Sequence, residues 1–202
     1  TNFKDGRKIQ SKTDLRLMKF LYKLIFLKAL KWKIVGQVPE EKKYIIVVAP
    51  HTSNYDFMIG LAVRSIMGFK ASFLGKKELF RWPFGWLFRK LGGYPVDRSK
   101  HTNLVDAVAA IFDAHDKFAI AIAPEGTRKY VKGWKSGFYY MALKAKVPLL
   151  LAAIDYKKKT VYFSQPYFPT GNKEIDSKNI LSFYAGHEGK YPKKLPDSLF
   201  GV

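Results

Sequence analysis

Tyr44-Ile45-Ile46-Val47-Val48-Ala49 is followed at once by Pro50-His51-Thr52-Ser53-Asn54-Tyr55-Asp56. An unbroken apolar run that changes abruptly to polar residues reads as a strand buried on both faces and emptying into a loop. Phe118-Ala119-Ile120-Ala121-Ile122-Ala123 does the same, running into Pro124-Glu125-Gly126-Thr127-Arg128. Helical patterns lie between and around these runs: from about Tyr55 to Met67, from Leu104 to His115 with Ser99 placed to cap it, and from Trp134 to Lys146. Further extended stretches are Ala71 to Gly75, Tyr94 to Arg98, Val147 to Ile154 and Thr160 to Ser164, and a last helix is expected around Ile175 to Ala185. Apolar strands alternating with helices predict an α/β fold with a mainly parallel central sheet covered by helices on both faces.

The length of 202 residues and the absence of any shift in character along the chain predict one domain spanning 1–202. A 48% hydrophobic share supports a core, and 16% aromatics argue against disorder. The charge is extreme: 36 Lys and Arg against 16 acids leave a formal +20. Such a body favours a polyanionic partner, whether nucleic acid, an anionic membrane or a phosphorylated substrate. Cysteine is absent, which removes disulfides, a thiol nucleophile and thiolate-bound metal. No stretch reaches the roughly 18–20 uncharged apolar residues of a membrane span, and the start does not resemble a secretory signal.

The region 12–35 combines Leu15, Leu17, Met18, Leu21, Tyr22, Leu24, Ile25 and Leu27 with cations on another face, then alternates Phe26, Lys28, Leu30, Lys31, Trp32 and Lys33. It reads as an amphipathic helical element that packs one face on the core and offers another to a lipid headgroup layer. A second cluster, Phe80, Trp82, Phe84, Trp86, Leu87 and Phe88 with Arg81, Arg89 and Lys90, suits either core packing or a further membrane-facing or acyl-lining surface.

Ligand crevices of open α/β sheets lie at the carboxyl ends of strands, which raises His51 and Arg128 together. With His51 in the turn and Asp56 in the first helical turn, the carboxylate can fold back onto the imidazole and fix its tautomer. Spacing alone says little, because His101 and Asp106 repeat it after a polar stretch. What distinguishes the first pair is the buried run before it. No Gly-x-Ser-x-Gly elbow occurs, so a histidine base without a protein nucleophile implies that the attacking hydroxyl belongs to the substrate. Pro124 to Arg128 offers a glycine turn, a hydroxyl and a guanidinium suited to an anion, and Arg98 adds a second guanidinium. Neither a Walker-type nor a dinucleotide-binding glycine pattern is present.

Together these residues resemble the glycerolipid acyltransferase family. His51 to Asp56 matches its His-x4-Asp block, and Gly92-Gly93-Tyr94-Pro95-Val96-Asp97-Arg98 resembles its Gly-x5-Arg block. Glu125-Gly126-Thr127-Arg128 matches its Glu-Gly-Thr-Arg block, and Val147-Pro148-Leu149-Leu150 resembles its Val-Pro block, so that the catalytic core spans 44–154. Pro95 stands where a large apolar residue is frequent in that family, and Ala123 where phenylalanine or serine is common. The resemblance implies an O-acyltransferase in which His51, oriented by Asp56, deprotonates the hydroxyl of a lysolipid, foremost 1-acylglycerol-3-phosphate. The hydroxyl would attack the thioester of acyl-CoA or acyl-carrier protein. Arg98, Glu125, Gly126, Thr127 and Arg128 would grip the acceptor's phosphate and glycerol, and no cofactor or metal is implied. The implied location is peripheral or monotopic on the cytoplasmic face of an anionic membrane. A lyso-aminolipid acceptor, such as an ornithine or glycine lipid, is the alternative within the same chemistry. A basic nucleic-acid-binding domain is the alternative outside it, although no such module is recognisable.

Overall fold

The computed structural model describes residues 19–96 and 104–200. Their centre is a seven-stranded sheet in the order β1-β7-β6-β2-β5-β3-β4. The strands are β1 (Lys33–Val35), β2 (Lys43–Ala49), β3 (Ser72–Lys76), β4 (Gly93–Val96), β5 (Phe118–Ile122), β6 (Leu149–Asp155) and β7 (Thr160–Phe163). The five strands β6, β2, β5, β3 and β4 are mutually parallel, while β7 pairs antiparallel with β6 and carries β1 parallel to itself. This is the mainly parallel α/β sheet that the continuous apolar runs predict. β6 is buried along its whole length and β2 nearly so, as strands covered on both faces must be.

Five α-helices are described: α1 (Tyr55–Met67), α2 (Gly85–Lys90), α3 (Leu104–Asp113), α4 (Gly137–Ala145) and α5 (Lys173–Tyr184). The pleat of β2 divides the core. Ile45, Val47 and Ala49 face Val108, Phe112, Phe138, Tyr139, Ile180 and Tyr184 from α3, α4 and α5. Tyr44, Ile46 and Val48 face the other way, toward the side covered by α1 and the amino-terminal helical segment. Local chemistry ends the helices where expected: Gly68 adopts φ +79 and closes α1, and Asn172 caps α5 by accepting from the amides of Glu174 and Ile175.

The amino-terminal element differs from expectation. A single helix over 12–35 is not what forms. Helical structure gives way to a π-helix, Lys23–Ala29, and Lys33–Val35 instead becomes edge strand β1. Lys31 turns the chain with φ +57, and Trp32, buried, stacks on Phe26 with ring centroids 5.5 Å apart. The apolar period read as helix ran on into Lys33, Ile34 and Val35, three residues too few to set a period of their own, which become a strand by pairing with Thr160–Tyr162 of β7. The rest of that region, 12–18, lies outside the described residues, as do Ser99 and the expected strand's Asp97 and Arg98.

Chain direction places the crevice. From β2 the chain passes through α1 to β3, beyond β5; from β5 it passes through α4 to β6, beyond β2. The two connections diverge over opposite faces, so the carboxyl ends of β2 and β5 flank a topological switch point.

Candidate active site

His51 leaves the carboxyl end of β2 and Asp56 sits in the first turn of α1, which is the fold-back that the five-residue spacing requires. His51 Nδ1 lies 3.0 Å from Asp56 Oδ2. The same oxygen accepts from the amides of Thr52 at 2.8 Å and Ser53 at 2.9 Å, so the turn that precedes α1 closes around the carboxylate. Oδ1 accepts from Tyr156 Oη at 2.6 Å. Asp56 is only 4% exposed. Burial acts to raise its pKa, but the hydrogen bonds from His51, Tyr156, Ser53 and Thr52 outweigh it and hold the carboxyl below the ordinary aspartate value. Asp56 is therefore an anion at neutral pH and accepts Nδ1–H. Nε2 has no protein partner among the described residues, and the His51 side chain is 27% exposed. The imidazole has one nitrogen anchored and one open.

The second strand end closes onto the first. Glu125, after β5, accepts the His51 backbone amide through Oε1 at 2.7 Å. Its Oε2 and the His51 carbonyl both lie 3.3 Å from Lys193 Nζ. Burial pushes the Glu125 pKa up, against the opposing pull of the His51 amide and the Lys193 ammonium. Glu125 thus fixes the backbone of the histidine loop through the His51 amide and Lys193, while Arg128 donates to Asn54. Gly126 takes φ +65, which a side chain would strain, and turns the chain outward. Thr127 and Arg128 then stand exposed, with the Arg128 guanidinium donating to the Asn54 side chain beside the His51 turn. The structure therefore brings His51, Asp56, Glu125, Gly126, Thr127 and Arg128 to one sheet end. Arg98 lies outside the described residues, as does His101. Asp106 is at the surface on α3, paired with Lys144, so the second copy of the spacing lacks the buried-carboxylate setting of the first.

Two residues of the site escaped the sequence reading. Tyr156 stands just past the carboxyl end of β6, where the same rule that raised His51 would have found it. Its ring packs edge-on against Trp32, centroids 5.1 Å apart, and burial followed by the Asp56 contact raises its hydroxyl pKa, so it remains a donor. Lys193 carried no local signal. It arrives on a carboxyl-terminal segment that lies over the histidine turn, with the Tyr191 amide donating to Thr52 Oγ1 at 3.3 Å and Lys190 Nζ 3.6 Å from the Tyr55 ring centre. A Cβ on Gly189 would come within 2.5 Å of Thr52, so glycine is what permits this approach. Both residues lie beyond the 44–154 span.

Comparison with known proteins bears on the family and the fold. A family model described as Acyltransferase matches residues 31–155. The 1-acyl-sn-glycerol-3-phosphate acyltransferase of Saccharomyces cerevisiae is 31% identical over 132 residues, which cover 61% of this chain and 42% of the yeast protein. The chain thus spans less than half the length of that relative. The crystal structure of the 1-acyl-sn-glycerophosphate (LPA) acyltransferase, PlsC, from Thermotoga maritima superposes with a TM-score of 0.56, covering 87% of this chain and 80% of that one at 19% identity. That likeness establishes the shared fold.

Proposed function

This chain belongs to the acyltransferase family, and we propose that it moves a fatty acyl group from a thioester, acyl-CoA or acyl-carrier protein, to the free hydroxyl of a lysolipid, 1-acylglycerol-3-phosphate above all. The observation that carries the reading is the imidazole with Nδ1 held by a buried, multiply bonded carboxylate and Nε2 open. Nε2 takes the proton of the acceptor hydroxyl as its oxygen attacks the thioester carbonyl. Asp56 stabilises the imidazolium that forms. Collapse of the tetrahedral intermediate breaks the carbon–sulfur bond, and His51 returns the proton to the departing thiolate. No protein acyl intermediate is required. Arg128, exposed beside the histidine turn, supplies the guanidinium for the acceptor phosphate, with Thr127 and the Gly126 turn beside it and Arg98 as the further cation.

The amino-terminal segment supports a peripheral location on a membrane surface, which in this reading is the cytoplasmic face. Phe26 is buried against α1, whereas Phe20, Leu21, Leu24, Ile25 and Leu30 are exposed among lysines, the division expected of a helix lying in an interface. No helix among the described residues is long and apolar enough to cross a bilayer.

The test is thiol release from acyl-CoA and acyl-carrier protein across a panel of lysolipids, phosphorylated and phosphate-free. His51→Ala should abolish turnover, a loss on the order of 10³-fold or more, with the fold retained by circular dichroism. Full activity in that variant on every acceptor would eliminate His51 as the base, and preference for a phosphate-free acceptor would eliminate lysophosphatidate as the principal one.

A further inference from the structure

Between β3 and β4, at the sheet edge, the chain forms a 3-10 turn, Lys77–Phe80, and the short helix α2. Its apolar side chains divide sharply. Phe80 is 5% exposed and packs closely on the sheet: a Cβ on Gly75 of β3 or Gly93 of β4 would come within 2.8 or 2.7 Å of its ring. Gly85 presses on the Phe80 carbonyl so closely that a Cβ would meet it at 2.0 Å, and its amide donates to Arg81 O at 2.8 Å. Phe88 packs between Phe80 and Phe57 of α1, each ring centre 6.2 Å away. The segment is thus anchored from beneath.

Above those anchors, Trp82 is 93% exposed, Trp86 64% and Phe84 63%, with Leu79 and Leu87 beside them. An anchored turn that still projects two indoles and a phenyl ring outward has sent its largest apolar groups away from an available core, an arrangement that marks an interaction surface. The rim decides the partner. Lys77, Arg81, Arg89 and Lys90 surround the aromatics, against a single acid, Glu78. Indoles interleaved with long cationic side chains suit the headgroup layer of an anionic bilayer, where the ring body is apolar, its N–H stays wet and the cations meet lipid phosphates. The turn begins at the carboxyl end of β3, the same sheet end as His51 and Arg128.

We propose that the Leu79–Trp86 turn is a second membrane anchor, distinct from the amino-terminal helical segment, which inserts Trp82, Phe84 and Trp86 into the headgroup region of an anionic bilayer and so presents the His51 crevice to the lipid surface. The proposal deepens the reading of a lipid acceptor, and its readout is independent of turnover. The chain has four tryptophans, of which Trp32 and Trp134 are buried, so Trp82 and Trp86 are natural probes.

Vesicles of phosphatidylglycerol and phosphatidylcholine, with and without brominated acyl chains, should shift tryptophan emission to the blue and quench it. Trp82→Ala/Trp86→Ala should lower the vesicle partition coefficient about tenfold and remove the quenching, while turnover of a short-chain, monomeric lysophosphatidate stays at the parent level. Unchanged emission on bound vesicles, with the double variant partitioning as the parent does, would overturn the proposal. So would a dimer dissociated by the double substitution without any vesicle binding, which would reassign the surface to protein contact. Equal loss of turnover on the monomeric acceptor would place the indoles in the reaction itself and also overturn it. Absence of thioester turnover in the parent would refute the proposed reaction and leave the vesicle result standing.

Discussion

Tyr156→Phe isolates one hydroxyl at the centre of the site. The ring and its edge-on contact with Trp32 are retained, while the donor to Asp56 Oδ1, now at 2.6 Å, is lost together with the hydroxyl's contact with the Ser53 side chain. Two effects compete. A carboxylate relieved of this donor is more charge-dense, which favours an imidazolium on Nδ1. Against that, the donor is the hydrogen bond that fixes Oδ1 among the described residues, and without it the carboxylate plane can turn about the Oδ2 end, which Thr52 and Ser53 hold. We expect loss of orientation to win, because Oδ2 is shared among three donors and its direction toward Nδ1 depends on the plane. A hydrogen bond to a charged group contributes about 1.5–3 kcal/mol. Tyr156 is half-buried rather than sealed, so water can replace the donor in part and the low end applies. About 1.5 kcal/mol corresponds to roughly a tenfold lower kcat. KM for both proposed substrates should stay near the parent value, since the hydroxyl is engaged by Asp56 and Ser53. Steady-state thiol release gives both constants, and urea unfolding run in parallel measures the stability cost. An unchanged or raised kcat, with stability lowered, would refute the orienting role and leave Tyr156 as a strut.

Two further outcomes follow from buried carboxylates. Asp176, fully buried, accepts from Tyr139, Tyr167, the Thr170 amide and hydroxyl, and the Gly171 amide; Asp176→Asn turns an amide group onto those donors, and thermal unfolding should show a cost of about 3 kcal/mol, roughly 10 °C in Tm for a chain of this size. Asp56, Asp155 and Asp176 all have folded pKa values below the ordinary 3.8, because hydrogen bonds to them outweigh the burial that would raise them, so their stabilisation is fully present above 3.8 and lost as pH falls through the depressed values. Glu125 has the opposite sign: its folded pKa is raised, so it costs stability once ionised and recovers that cost on acidification. Urea unfolding across pH 7 to 2.5 should therefore hold or rise slightly through mild acid and collapse below about pH 4; a steady decline starting well above that would contradict the assignment.

How much of this was legible in the sequence follows from how local each signal is. β2, α1 and β6 are set by runs whose burial or period is complete within the segment, and Tyr44 to Ala49, Tyr55 to Met67 and Val147 to Ile154 mark them to within a residue or two. β1 was not legible, because three residues, Lys33–Val35, carry no period of their own and become a strand only by pairing with Thr160–Tyr162. His51, Asp56 and Arg128 could be found because strand ends are visible in one chain. Lys193 could not, since its place over His51 depends on a 142-residue closure and on Gly189 passing within contact of Thr52. Tyr156 lay between these cases, at a strand end and unclaimed by any block.

The electrostatics of the crevice resolve an apparent contradiction in the sequence. A body of formal +20 has acids at the centre of both strongest motifs, and exposed acids there would repel a phosphorylated acceptor. Both are withdrawn instead. Asp56 is enclosed by His51, Thr52, Ser53 and Tyr156, and Glu125 by the His51 amide and Lys193, leaving each nearly without surface. The exposed positions around them carry Arg128, Lys129, Lys132, Lys135, Lys190 and Lys194. Fields add over exposed charges and fall off steeply for an anion whose partners neutralise it locally. The mouth is therefore positive although its floor is acidic: the carboxylates organise the proposed base and the turn that bears it, while the cations above them face the solvent from which the proposed anionic acceptor would arrive.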